Sequence, residues 1–205
     1  MRGIRLALWI AVAAALFLLG VIAVATFPPR GGGPVTAGGS DLQPGAPLGG
    51  PFALVDHRGA PVTEAIFRGK PSVTLFGFTH CPDVCPTGLM EMSRWSEALG
   101  DDAGKLSFIF VTVDPERDTP AALKDYVTAF SDRIVGISGE PDAVHAMVKD
   151  YKIYSRKVPL ENGDYTMDHT ASMILQDAEG NFVGTIARGE SSDTAVEKLR
   201  RLVAG

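Results

Sequence analysis

Hydrophobic patterning divides the chain into three parts. From Leu6 to Phe27, 22 consecutive residues carry no charge and no proline. At about 1.5 Å per residue such a helix spans roughly 33 Å, enough to cross a bilayer. Pro28 to Gly50 reads PPRGGGPVTAGGSDLQPGAPLGG, with almost no large apolar side chain. That composition cannot offset the entropy of ordering, and it predicts a flexible linker with a root-mean-square span of roughly 25–30 Å. After it, short apolar runs and helix-period stripes alternate to Gly205. The expected organisation is an amino-terminal segment 1–5, a transmembrane anchor 6–27, a linker 28–50 and a folded domain 51–205.

Within the domain, Phe52-Ala-Leu-Val-Asp56, a His-Arg-Gly-Ala turn and Pro61-Val-Thr63 read as a short hairpin. Val73-Thr-Leu-Phe-Gly-Phe78 is an unbroken apolar run bounded by Pro71 and a Cys-Pro pair, the pattern of a buried parallel strand. The next segment carries Leu89, Met92, Ser96 and Leu99 at spacings of three and four, a helix with one inward face. Leu106–Val113 reads as a second buried strand, and Thr119-Pro120 as an N-cap and first position of a helix reaching about Phe130. A short strand at Ile134–Ile137, a helix from Pro141 to about Tyr151, an extended Lys152–Val158 and a turn at Glu161-Asn-Gly-Asp164 follow. Ala171–Gln176 and Phe182–Ala187 pair around Asp177-Ala-Glu-Gly180, and Ser191–Val203 closes the chain as a helix. Strands alternating with helices, then a hairpin and a last helix, predict an α/β fold with a mixed central sheet flanked by helices. The order fits a thioredoxin-like fold with an N-terminal hairpin and an insertion between its second core helix and its later hairpin.

Charge adds two constraints. The first 40 residues hold Arg2, Arg5 and Arg30 and no acid, so the whole-chain net of −5 leaves −8 for the remainder. A domain that acidic is no electrostatic binder of nucleic acid. Arg2 and Arg5 flank the apolar stretch on its amino side, which predicts a cytoplasmic amino terminus and an exported domain. In a bacterium that places the domain in the periplasm on an inner-membrane anchor; in a mitochondrion, in the intermembrane space. The rival is a cleaved signal peptide, whose apolar core is shorter, about 7–15 residues.

The chain has two cysteines, Cys81 and Cys85, at the junction of the first buried strand and its helix. Free backbone N–H groups and the helix dipole favour thiolate there. An exported pair is by default a structural disulfide. A spacing of four, however, closes a loop too short to constrain much of the unfolded chain, and suits a redox pair or a metal clamp better. Pro82 and Pro86 each follow a cysteine and rigidify the loop. Two thiolates are soft donors suited to Cu(I), zinc or iron–sulfur centres, and two cysteines are too few for a cluster. A third ligand has to come from elsewhere. His57 in the hairpin turn reads as solvated, His145 as a surface or half-buried helix residue, and His80 as pointing away from its neighbour Cys81. His169, in Met167-Asp-His-Thr170, precedes the Ala171–Gln176 strand. In a thioredoxin-like fold that loop faces the cysteines, which makes His169 the candidate ligand and Asp168 a candidate supporting carboxylate. Met90, Met92, Met167 and Met173 read as packing. In Asp114-Pro-Glu-Arg-Asp-Thr-Pro120, Asp118 and Thr119 read as helix caps, with Asp114 within reach of the cysteines.

Three segments together carry a resemblance: Phe76-Gly-Phe-Thr-His-Cys-Pro-Asp-Val-Cys-Pro86, Val113-Asp-Pro-Glu-Arg-Asp-Thr-Pro120 and Asp164-Tyr-Thr-Met-Asp-His-Thr170. In order and spacing the chain resembles the Sco/SenC family of copper-binding assembly factors for cytochrome c oxidase, over roughly Phe52 to Gly205. Met167 stands where many members carry an aliphatic residue. The resemblance implies that Cys81, Cys85 and His169 bind copper, as Cu(I) or Cu(II). It also implies that the acceptor is the copper A site of oxidase subunit II, supplied in turn by an upstream copper donor. Two rivals use the same site. A thiol–disulfide oxidoreductase that reduces the acceptor's cysteines needs Cys81 and Cys85 but not His169. A redox sensor signals through the same pair. A peroxiredoxin-like peroxidase is disfavoured, because Thr79 lies two residues before Cys81 rather than three and the proline follows the cysteine.

Overall fold

A computed structural model describes residues 42–205. The anchor expected at 6–27 and most of the linker lie outside the described residues. Among those described, no helix is long and apolar enough to cross a membrane.

The first hairpin forms as expected, from β1 (Leu54–Asp56) and β2 (Pro61–Val62). β3 (Ser72–Gly77) is buried along its whole length, because it is central in the sheet and covered on both faces. It leads into α1 (Val84–Leu99), then β4 (Ser107–Thr112), α2 (Pro120–Thr128), β5 (Ile134–Ser138) and α3 (Pro141–Asp150). β6 (Ser155–Pro159) and β7 (Tyr165–His169) follow, then β8 (Met173–Gln176), β9 (Phe182–Ile186) and α4 (Ser192–Ala204). The seven-stranded sheet has the order β2-β1-β5-β4-β3-β8-β9. β3, β4 and β5 run parallel, and β8 runs antiparallel to β3. β4-β3-β8-β9, with α1, α2 and α4, is the thioredoxin-like core. β5, α3 and the β6–β7 hairpin are inserted between α2 and β8.

Alternation along the strands sorts the core into two faces. Leu75, Phe110 and Gly136 share the face packed by α1 and α2: Leu75 approaches Gly88 of α1, Phe110 stacks on Tyr126, and Leu123 closes over Gly136. On the other face Phe76 packs on Tyr151 at the end of α3, which also meets Phe67. The inward stripe of α1 contains Leu89, Met92, Ser96 and Leu99 as expected, and also Trp95, whose indole N–H donates to Ser192 Oγ at the start of α4 (3.1 Å). Thr119 caps α2 through Ala122 N, and Ser191 caps α4 through Thr194 N.

Three local expectations differ. Residues 42–50 fall in the stretch whose composition reads as linker, yet they run along the domain. Gly45 N donates to Phe182 O (2.7 Å), Phe182 N donates to Ala46 O (2.9 Å), and Leu48 is buried. His169 ends a strand, β7, rather than lying in a loop. His57 is not solvated: it is only 8% exposed, and its Nδ1 accepts a hydrogen bond from Gly136 N (3.0 Å). The turn that looked open is folded against β5, where β1 adds antiparallel to the sheet.

Burial holds the His57 pKa below the ordinary value. The unfolded chain therefore takes up a proton near pH 6.5 that the folded chain refuses until lower pH. The stability contributed by neutral His57 is fully present above about pH 6.5 and is lost as the pH falls below it. Replacing the Gly136 acceptor, as in His57→Gln, is expected to cost about 1–2 kcal/mol at pH 8. In parallel denaturant titrations that deficit should shrink between pH 7 and pH 5; a deficit constant with pH would contradict the assignment.

Candidate metal centre

β3 delivers the cysteine loop to the carboxyl edge of the parallel strands, and the chain turns at once into α1. Cys81 lies in that turn, its N–H donating to Phe78 O (3.2 Å), while Cys85 is in the first turn of α1. Asp83 at the N-cap makes no capping hydrogen bond, so nearby amides are available to sulfur. Cys85 N donates to Cys81 Sγ at 3.4 Å. Cys85 is fully buried and Cys81 is 8% exposed. The Cys85 sulfur rests against Gly77, where an added Cβ would stand 2.6 Å from that sulfur and 2.9 Å from the Phe110 ring. Only glycine leaves room for the thiol there.

His169 reaches the same point from the end of β7. Its Nε2 lies 3.7 Å from Cys85 Sγ, and one donor atom from each of Cys81, Cys85 and His169 falls within 4.8 Å of the others. The His169 Nδ1 sits 2.9 Å from Thr170 O. A carbonyl accepts only, so Nδ1 carries the proton and the Nε2 lone pair faces sulfur. The Phe78 ring meets the imidazole edge-on, 5.7 Å between centroids.

The two thiols are unequal. The hydrogen bond from the Cys85 thiol holds Cys81 well below the ordinary thiol range, and the Asp83 and Cys85 amides add to it, against the effect of burial. Donating that hydrogen bond, together with burial, pushes Cys85 far up. The site thus biases the metal-free pair in opposite directions, Cys81 toward thiolate and Cys85 toward thiol.

The neighbouring loop 114–118 braces this arrangement. Asp118 is fully buried and is no helix cap, contrary to expectation. Its carboxylate accepts from Thr79 N (3.0 Å), Thr79 Oγ1 (2.6 Å) and Thr112 Oγ1 (2.6 Å), tying the cysteine loop to the end of β4. Asp114 is buried too, but it pairs with Arg117 and Tyr165 instead of joining the cysteines.

The sequence profile of the SCO1/SenC family matches residues 40–204. The chain belongs to the SCO1/SenC family. The mitochondrial protein SCO2 of Saccharomyces cerevisiae is 40% identical over 159 residues, 76% of this chain and 53% of its own length. The mitochondrial protein SCO1 of the same yeast is 40% identical over 155 residues, 74% of this chain and 52% of its own length. The chain thus spans about half the length of these curated relatives. Among solved structures, Bradyrhizobium japonicum ScoI with copper bound superposes with a TM-score of 0.71 at 46% identity, covering 76% of this chain and 99% of that one. Yeast Sco1 with copper bound gives 0.70 at 39% identity, covering 78% and 90%.

The other candidates of this SCO1/SenC chain lie apart from the three donors. His80 turns outward, its side chain 55% exposed and its Nδ1 3.0 Å from Thr79 Oγ1. His145 is exposed. Asp168 is exposed and pairs with Arg156 across the β6–β7 hairpin (3.6 Å). Met92, Met167 and Met173 pack in the core; Met90 instead is 41% exposed on α1.

Alkylation of the reduced, metal-free chain separates the two thiols. Iodoacetamide should label Cys81 at a rate almost flat from pH 6 to 9, and Cys85 only after unfolding. Labelling of Cys81 that climbs about tenfold per pH unit toward 8.5, as for an unperturbed thiol, would contradict the asymmetry.

Proposed function

We propose that this chain carries copper on Cys81, Cys85 and His169 and passes it to the copper A site in subunit II of cytochrome c oxidase. The observation that carries the reading is the convergence of two sulfurs and one imidazole nitrogen within 4.8 Å. The donor set fits the metal. Thiolates are soft ligands that select Cu(I), and an imidazole serves both oxidation states. Cys81 is the ready thiolate and the His169 Nε2 lone pair is directed toward the sulfurs. Cu(I) binding as a dithiolate displaces the proton held by Cys85, so metal uptake is coupled to proton release. Three donors leave the metal open to a fourth. An incoming thiolate of the acceptor can bind before a resident one leaves, and the metal moves without ever being free. Exchange of the metal-free pair with an external disulfide, which is reduced to two thiols as the Cys81–Cys85 disulfide forms, takes both sulfurs out of the donor set, so copper occupancy follows redox state.

Kinship supports the same reading: ScoI of Bradyrhizobium japonicum and Sco1 of yeast are structures with copper bound. The apolar stretch 6–27 anchors the domain in the inner membrane, with its amino terminus cytoplasmic and the copper domain in the periplasm or mitochondrial intermembrane space. An upstream donor supplies the copper. A second reading draws on the inequality of the thiols. A thiolate at Cys81 backed by a buried thiol at Cys85 suits attack on a disulfide followed by internal resolution, the chemistry of a reductase acting on the acceptor's cysteines.

Anaerobic Cu(I) titration of the reduced full-length chain in detergent decides between them. The parent should bind one copper per chain. His169→Ala should weaken binding by about 10–100-fold, and Cys81→Ser or Cys85→Ser should abolish it at micromolar metal. Parent-like affinity in His169→Ala, or no binding by the parent, would overturn the carrier reading and leave thiol–disulfide exchange.

A further inference from the structure

His169 arrives at the cysteines on a part of the fold that the main sheet does not hold. β6 and β7 form a separate two-stranded sheet, with His169 paired to Ser155 at its end. Something other than sheet hydrogen bonding must fix the imidazole in place. Among the described residues, the hairpin's polar contacts with the rest of the domain, apart from that between His169 and Cys85, run to Asp114, Glu116 and Arg117. Arg117 is the centre of this set. Its Nη1 donates to Tyr165 O (2.9 Å) and lies 3.4 Å from Asp164 Oδ1, while its Nε donates to Asp114 Oδ2. Tyr165 Oη donates to the other Asp114 oxygen at 2.8 Å.

The same guanidinium also forms a column with the rings around it. It lies 3.8 Å from the centroid of Tyr165 on the hairpin and 5.9 Å from that of Phe78 on the cysteine loop. Phe78 in turn abuts His169. Tyr165, Arg117, Phe78 and His169 thus stand in sequence, so the position of one cation sets the spacing between hairpin and cysteine loop. We infer that Arg117 is the positioning residue that holds His169 within ligating range of Cys81 and Cys85. The cysteine loop has its own brace in Asp118, so loss of Arg117 frees the histidine and leaves the thiols where they are. Arginine suits this role because one planar group donates along its edges while stacking on its faces.

The inference rests on the copper reading for its sharpest test, and on the metal-free chain for an independent one. The full-length protein would be compared as parent, Arg117→Met, Tyr165→Phe, His169→Ala and Arg117→Met/His169→Ala. Cu(I) affinity would be measured by competition with a chromophoric chelator, and Cu(II) by nitrogen hyperfine structure in electron paramagnetic resonance. Arg117→Met should lose about 10–100-fold in Cu(I) affinity and lose the imidazole nitrogen signature. The double variant should bind no more weakly than His169→Ala alone, because both changes remove the same ligand. Tyr165→Phe keeps the stack and loses only the bond to Asp114. It should shift affinity less, in the same direction, and covers the case in which Arg117→Met fails to fold. Parent-like affinity in Arg117→Met, or losses that multiply in the double variant, would overturn the inference. If the parent binds no copper, the copper reading fails by itself, and hydrogen exchange of the metal-free chain decides the latch. Arg117→Met should then speed exchange across 165–169 while leaving 73–77 unchanged; equal change in both, or none in either, would overturn it.

Discussion

The centre depends on a buried carboxylate. Asp118 has no exposed surface; the His80 Nδ1 stands 4.0 Å from its carboxylate, and its close contacts are three hydrogen bonds, two from Thr79 and one from Thr112. Burial pushes its pKa up while those donors pull it back. An uncompensated carboxylate in such a place is costly, so the three donors are held where it needs them. Thr79 is two residues from Cys81, and Thr112 ends the strand beside β3. Satisfying Asp118 therefore fixes the cysteine loop to the sheet edge before any metal arrives. The backbone carbonyl of Asp118 also accepts from Ser138 Oγ, which extends the brace to β5.

One short segment, residues 114–118, serves both halves of the donor set. Asp118 faces the cysteine loop, while Asp114 and Arg117 face the hairpin that brings His169. The two sulfurs sit on the rigid part of the fold, at the end of a fully buried strand and the first turn of a helix. The imidazole sits on a two-stranded appendage joined to the body through side chains. That division suits a carrier. On the proposed reading, two sulfurs on the rigid body would retain the metal, while the imidazole on the separate element is the donor free to move without disturbing them.

Much of this was legible in the sequence because it follows from local chemistry. The apolar run at 73–78, the stripe on α1, the Thr119-Pro120 start and the Asn-Gly turn at 162–163 each correspond to an observed element. Cys81 and Cys85 were legible by their rarity and spacing, and His169 by its place before β8. What escaped was set by tertiary contacts that leave no periodic trace. Asp118 looked like a cap because it precedes a helix; its partners lie at positions 79 and 112. His57 looked solvated because its turn is polar; its partner is Gly136, 79 positions away. Arg117 lies in a charged loop, and nothing local announces its place between Phe78 and Tyr165. A buried role for a charged loop residue is visible only once both rings are in place.

X-ray absorption at the copper edge, on the full-length reduced chain loaded with one Cu(I), tests the central claim most directly. It counts the donors without altering any residue. Two sulfur scatterers and one imidazole nitrogen per copper, with no copper–copper distance, is the expected result. A shell of sulfur alone, or a copper–copper distance showing a metal shared between chains, would contradict the account of one copper held by Cys81, Cys85 and His169.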